Sequence, residues 1–302
     1  MQTLILKAPA KVNLYLKVLG KRPDGFHDIE TIFEKLDLCD EISLRRRKRG
    51  IKVLCQHKGV PRNGRNLAAR AAQALLKKAN RADGVEIRIT KRIPVAAGLG
   101  GGSSDAASVL LGLNKLLSLG FARGELLDLA QKLGADCPFF ILPGLRAIGR
   151  GKGEVLSPIR LKRKNWYVLV IPKDLRLSTR KMYQDPRITL TKRSSNAKIT
   201  LYALEKGDLT TVDKYSYNSF EQILRERYKE IREIKKALKS LGACATLMSG
   251  SGPCVFGITQ TRKEAVEISE KLEREQKRWQ IIVTKTYDNT NRRFKEIWKS
   301  QR

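Results

Sequence analysis

Apolar and polar residues alternate near the start of the chain. Val12, Leu14, Leu16 and Val18 step by two, the period of a half-buried strand. They predict a strand with these four on one face and Lys11 and Asn13 on the other. A turn at Pro23-Asp24-Gly25 follows, then apolar runs over 29–36 and 41–44 and a short strand over 51–55. Alanine and leucine dominate 66–79, which reads as a helix. Val85, Ile87 and Ile89 alternate with Glu86, Arg88 and Thr90, a half-buried strand leading directly into a glycine-rich segment. Beyond it, 106–117 and 124–133 read as helices.

The pattern changes around 149–158. A domain boundary is expected there, with an N-terminal ATP-binding domain over 1–155 and a C-terminal domain over 156–302. Residues 166–171 form a continuous apolar strand. Phe220, Ile223, Leu224, Tyr228, Ile231, Ile234, Leu238 and Leu241 recur at steps of three and four, which predicts one amphipathic helix. Strands over 245–248 and 254–258 flank a Ser-Gly-Ser-Gly turn. A helix over 263–278 and a last strand over 281–286 follow, and the polar end 289–302 is expected to be a loose tail. Strands and helices mix without strict alternation, so the class is α+β.

A hydrophobic fraction of 41% over 302 residues supports a real core in one or two domains. No apolar run approaches the roughly 20 residues of a membrane span, and Lys7, Pro9 and Lys11 interrupt any signal sequence. A cytoplasmic protein is expected. Five widely spaced cysteines without a CxxC read as reduced thiols, and two histidines are too few for a histidine-based metal centre. The net charge of +31, from 61 Lys and Arg against 30 Asp and Glu, favours polyanionic partners. The basic residues are spread along the chain, so no specific nucleic-acid site is expected; the charge helps steer phosphorylated substrates.

The chemistry concentrates in 94–104: Pro94, Val95, Ala96, Ala97, Gly98, Leu99, Gly100, Gly101, Gly102, Ser103 and Ser104. Four glycines in five residues remove the Cβ atoms that would hold a ligand off the backbone. Several N–H groups can then converge on one anion, helped by the N-terminus of the following helix. No lysine follows the glycines, which excludes a Walker loop. Ser103 stands where a dinucleotide fingerprint needs glycine. The plain alternative is a helix cap at Ser103 or Ser104.

Three separated segments give the chain a family resemblance: Ala8-Pro9-Ala10-Lys11-Val12-Asn13-Leu14, the glycine segment, and Met248-Ser249-Gly250-Ser251-Gly252-Pro253-Cys254. In this order the chain resembles the GHMP kinase superfamily. Arg22-Pro23-Asp24-Gly25-Phe26-His27, Leu133-Gly134-Ala135-Asp136-Cys137-Pro138-Phe139-Phe140 and Gly149-Arg150-Gly151-Lys152-Gly153-Glu154 make it most similar to the branch that phosphorylates cytidine-diphospho-methylerythritol. That resemblance implies a two-lobed α+β GHMP kinase fold with the active site in the cleft between N- and C-terminal domains. It also implies transfer of a phosphoryl group from ATP to the 2-hydroxyl of that substrate, a step of the non-mevalonate isoprenoid pathway. Phe26 departs from the tyrosine commoner in that branch, and Pro253 from a small residue.

The resemblance assigns roles. Asp136 is the expected general base, although on local sequence alone it reads as a helix N-cap with Pro138 just inside the helix. Lys11 is the expected partner that favours the carboxylate form of Asp136 and polarises the acceptor hydroxyl; on its own it is an exposed strand lysine. Asn13 is expected to hold substrate hydroxyls. Phe26 and His27 are expected at the cytosine, with Tyr183 as the second face of the stack. Asn66 and Lys91 are expected to line the adenosine pocket. Mg2+ is expected with ATP, held mostly by phosphate oxygens and water, with no protein ligand set defined. The protein is expected to be a monomer or homodimer. Two rival readings are a kinase for another small alcohol, such as homoserine or mevalonate, and a basic nucleic-acid-binding protein on a degenerate kinase fold.

Overall fold

The alternating N-terminal pattern is the start of a long antiparallel pair. In the computed structural model, which describes residues 3–185, 187–188 and 197–288 (the side chains of 225–227 excepted), β1 (Thr3–Lys21) runs against β2 (His27–Arg47) across the expected turn. The runs 29–36 and 41–44 are one continuous strand. The register shifts at Pro9/Ala10, Asn13/Tyr15 and Val18/Gly20. An extra residue at such a bulge exchanges the faces of everything beyond it. This corrects the expectation of a single shared face. Val12 and Leu14 pack into the core shared with the second sheet, whereas Leu16 and Val18 enter a different core with Ile29 and Phe220.

The first half continues with β3 (Ile51–Cys55), α1 (Leu67–Lys78), β4 (Gly84–Thr90), α2 (Gly101–Leu116), α3 (Arg123–Leu133), α4 (Cys137–Ile141), β5 (Arg146–Arg150) and β6 (Val155–Ile159). The sheet order is β3-β4-β2-β5-β6, with β1 on the other edge of β2. The length of β2 lets it hold β4 along its second half and β5 along its first. The four helices bury their apolar sides against Ile42, Leu44, Val53 and Ile87 of this sheet. Helix α2 is buried from Ser104 to Asn114, as expected for a helix at the centre of a lobe. It begins five residues earlier than the sequence suggests. Gly100, left-handed at φ 71°, is its N-cap, so Gly101 and Gly102 already belong to the helix.

The second half comprises β7 (Trp166–Pro172), α5 (Thr179–Tyr183), α6 (Ala197–Lys206), α7 (Leu209–Tyr215), α8 (Ser219–Arg227), α9 (Lys229–Ser240), β8 (Ala245–Met248), β9 (Val255–Thr259), α10 (Arg262–Glu275) and β10 (Trp279–Lys285). Its antiparallel sheet has the order β10-β7-β9-β8. The single helix expected over 220–241 is two helices. Tyr228 takes φ −130° and ψ 91° and ends α8, so that the stripes of both helices fill one core beside β7 and β9.

Residue 155, where the sequence sets the end of the first domain, opens β6, which still pairs with β5. The chain changes sheets over 160–165. Bridges from Leu16 to Asn218 and from Leu36 to Thr286 tie the long strands to the second half. The expected tail over 289–302 lies outside the described residues.

Candidate active site

The glycine segment leaves β4 and folds back over β1. Lys11 donates its backbone N–H to the Leu99 carbonyl at 2.9 Å, and Cys254 donates to the Ala97 carbonyl at 3.2 Å. The segment is therefore stitched to both halves of the molecule. Gly98 is left-handed at φ 81°, and a Cβ there would lie 2.2 Å from the Ser249 carbonyl oxygen. Only glycine allows the late Ser-Gly turn to press this closely. The Ser249 hydroxyl donates to the Gly98 carbonyl at 2.9 Å and closes the contact.

Lys11 and Asp136 meet in the cleft beside this loop. The Lys11 Nζ lies 3.3 Å from Asp136 Oδ2, with the lysine side chain 4% exposed and the aspartate 34%. The same Nζ donates to Asn13 Oδ1 at 2.6 Å; Asn13 Nδ2 donates to Thr31 Oγ1, and Thr31 donates to the Tyr15 carbonyl. A chain of hydrogen bonds thus fixes the ammonium. Asp136 occupies the N-cap position of α4, yet its side chain makes no capping bond. The capping alternative leaves the carboxylate unused, and it faces Lys11 instead.

The aromatic residues divide. His27 is buried and its ring lies 5.3 Å from that of Tyr183, tilted by 31°; Tyr183 in turn meets Phe220 edge-on at 4.9 Å. Burial, and then the charge of Lys21, lowers the His27 pKa, so the imidazole is neutral at physiological pH. Burial, and then Asp136, raises that of the Tyr183 phenol. Phe26 is 57% exposed, with Lys152 Nζ 4.6 Å from its ring centroid.

One cleft of about 320 Å³ collects these groups. Of the sequence-derived residues, Lys11, Asn13, Gly98, Gly100, Ser103, Asp136 and Tyr183 line it. His27 reaches it only through Tyr183, and Phe26 stands outside at the Lys152 side. Ser104 is fully buried behind the loop. Asn66 caps α1, accepting from the Ala68 N–H at 2.8 Å and donating to the Pro61 carbonyl. Lys91 lies beneath Gly101, paired with Asp40 and Asp105. Neither Asn66 nor Lys91 lines the cleft.

The cleft adds Phe33, Lys152, Thr179 and Phe220, to which the sequence assigned no role, and Ser251 of the late Ser-Gly turn, which was expected to close over the phosphates. Lys152 stood in the Gly149–Glu154 motif, where Gly151 and Gly153 on either side of it both take positive φ. Thr179 shares a hydrogen bond of 2.8 Å with Ser251 across the late turn, and no local pattern marks it.

A glycine-rich loop, an adjacent lysine–carboxylate pair and a late Ser-Gly turn pressed against that loop are the marks of a small-molecule kinase of the GHMP class. Two family models match, the GHMP kinases N terminal domain over 66–144 and the GHMP kinases C terminal over 200–278. Among curated relatives, 4-diphosphocytidyl-2-C-methyl-D-erythritol kinase of Geobacter metallireducens is 46% identical over 266 residues, 88% of this chain and 92% of that protein. The kinase of the same name from Geotalea daltonii is 42% identical over 95% of this chain and all of its own. A crystal structure of 4-(cytidine 5'-diphospho)-2C-methyl-D-erythritol kinase superposes with a TM-score of 0.80 at 35% identity, covering 94% of this chain and 100% of that one. A homoserine kinase from Cytophaga hutchinsonii shares the fold, with a TM-score of 0.72 at 18% identity. The chain belongs to the 4-diphosphocytidyl-2-C-methyl-D-erythritol kinase family.

Proposed function

We propose that the protein transfers the γ-phosphoryl group of ATP to the 2-hydroxyl of 4-diphosphocytidyl-2-C-methyl-D-erythritol, with Lys11 and Asp136 as its catalytic residues. The observation that carries this reading is the ion pair of 3.3 Å between them, on the wall of the cleft that Gly98, Gly100 and Ser103 also line. Phosphoryl transfer needs little covalent help from a protein; positioning and charge stabilisation dominate. The segment 94–104 supplies backbone N–H groups for the triphosphate, with Asn66 and Lys91 supporting its adenosine end. The acceptor lies along Asn13, its hydroxyl beside Asp136. As the oxygen bonds to the γ-phosphorus, its proton passes to the Asp136 carboxylate, the bond to the bridging oxygen breaks, and ADP leaves. Lys11 offsets the charge that builds on the transferred group.

The cytosine end falls to Phe26, His27 and Tyr183. A neutral, buried His27 suits the base edge, and the aromatic faces suit stacking.

Magnesium fits the donor set. The cleft presents only hard oxygen ligands, with Asp136 as its one lining carboxylate beside the Thr179 and Ser251 hydroxyls. Among the described residues no group of three or more His, Cys, Asp or Glu could hold a metal by itself. An ion here would depend mostly on phosphate oxygens and water, and Asp136 would be the carboxylate available to help hold it. When bound, magnesium neutralises phosphate charge.

The test offers the purified protein ATP with each alcohol in turn. ADP release is expected with the cytidine-diphospho alcohol and not with homoserine or mevalonate; turnover of either of these alone overturns the assignment.

A further inference from the structure

Beneath the glycine loop lies a charge cluster whose two carboxylates have no part in the phosphoryl transfer. Lys91 Nζ pairs with Asp40 and, at 3.1 Å, with Asp105 Oδ2; the three side chains are 6%, 0% and 5% exposed. The second oxygen of Asp40 accepts from the backbone N–H groups of Arg92 and Ile93 at 2.6 and 2.9 Å. Asp105, in the first turns of α2, has an Oδ1 with no hydrogen-bond partner, and its carboxyl also meets that of Asp40. The charged groups acting on Asp105 are Lys91, on the connection from β4, and Asp40, on β2. Helix α1 buries only alanine and leucine, and β1 brings Leu6 and Ala8 to this core.

With both carboxylates ionised, the cluster holds two negative charges against one positive charge. A Cβ on Gly101 would lie 3.1 Å from Lys91 Nζ, so little more than backbone separates the cluster from the anion side of the loop. A buried excess of negative charge behind a triphosphate site opposes binding. Two carboxyls sharing one site relieve that conflict by holding a proton between them.

We propose that Asp105 is a positioning residue that takes up a proton as nucleotide fills the loop; this rests on reading the loop as the ATP site. Burial pushes the Asp105 carboxyl up to about 8, with Lys91 opposing the rise and Asp40 adding to it. A bound polyanion disfavours the carboxylate and raises the value further in the complex. Affinity is therefore full below the free-protein value. It falls as pH climbs from that value to the bound one, by at most about tenfold per pH unit because one proton is involved.

The experiment is calorimetric titration of the full chain with ADP between pH 7.5 and 9.5, in two buffers of different ionisation enthalpy. The terminal phosphate of ADP is deprotonated throughout that range. The wild-type protein is expected to take up a growing fraction of a proton above pH 8 while its Kd weakens. Asp105→Asn, which keeps the shape and loses the titration, is expected to show no uptake and a Kd independent of pH, within about threefold of wild type at pH 7.5. Wild-type binding with no uptake and a flat Kd overturns the inference and leaves the nucleotide site standing. Equal uptake in the variant also overturns it. ADP that binds nowhere in the range removes the loop assignment and this inference together. The wild-type proton count stands whether or not the variant folds.

Discussion

A side chain at position 101 has almost no room. Its Cβ would lie 3.1 Å from Lys91 Nζ and 3.2 Å from Ile93 Cγ2, whereas at Gly102 the nearest atom is Leu67 Cδ1 at 3.7 Å. Gly101→Val is therefore expected to push the loop off the nucleotide and weaken ADP binding by roughly tenfold or more; unchanged affinity in a calorimetric titration would refute the loop assignment. The loop was legible in the sequence because its signal is local, a strand followed by dense glycine and a helix. The roles proposed for Lys11 and Asp136 came only through resemblance. Locally they read as a surface lysine and a helix cap, and it takes the fold to bring residues 125 positions apart to 3.3 Å. Thr179 was not legible at all, since only its contact with Ser251 sets it at the cleft.

Helix ends carry much of the site's scaffolding. Asn218 caps α8 through the Phe220 N–H and donates to the carbonyls of Met248 and Gly250, holding the late Ser-Gly turn. Asn218→Ala loses a cap and leaves two buried carbonyls short of a donor, so a loss of about 2–4 kcal/mol is expected in urea unfolding. Thr261→Ala removes the equivalent cap from α10, where Thr261 and Glu264 form a capping box remote from the cleft. There the expected cost is about 1 kcal/mol with kinase turnover unchanged. An effect of Thr261→Ala on turnover equal to that of Asn218→Ala would count against this division. The elements named from periodicity kept their type, but α5, α6 and α7 were not among them, and two further details were not legible. The bulge at Asn13/Tyr15 and the break at Tyr228 carry no glycine or proline signal, and both follow from which core each apolar residue must reach. Strands β5 and β6 are short; they pair with each other across the 151–154 turn, and only the pairing of β5 with β2 ties them to the sheet, so local pattern gave no warning of them.

At the scale of the whole molecule, a buried ion pair locks the connection between the two sheets. Arg146, 1% exposed, pairs with Glu34 and donates to the carbonyls of Leu161 at 3.2 Å and Arg163 at 2.7 Å; Thr286, just past β10, donates to Glu34 at 2.5 Å. Removing one partner strands the other charge in the interior, so Arg146→Met is expected to cost about 3–5 kcal/mol. Adding Glu34→Gln should recover part of it in urea unfolding, and a double variant no more stable than the single would contradict the pairing. Packing of this kind holds the cleft at the spacing the chemistry requires. The most direct test of that chemistry is turnover of the cytidine-diphospho alcohol by Asp136→Asn, measured beside ATP affinity. The variant keeps the shape and loses the base, so turnover should fall by about 10²–10⁴ with ATP binding intact. Turnover near the wild-type rate would contradict a reaction centred on Asp136.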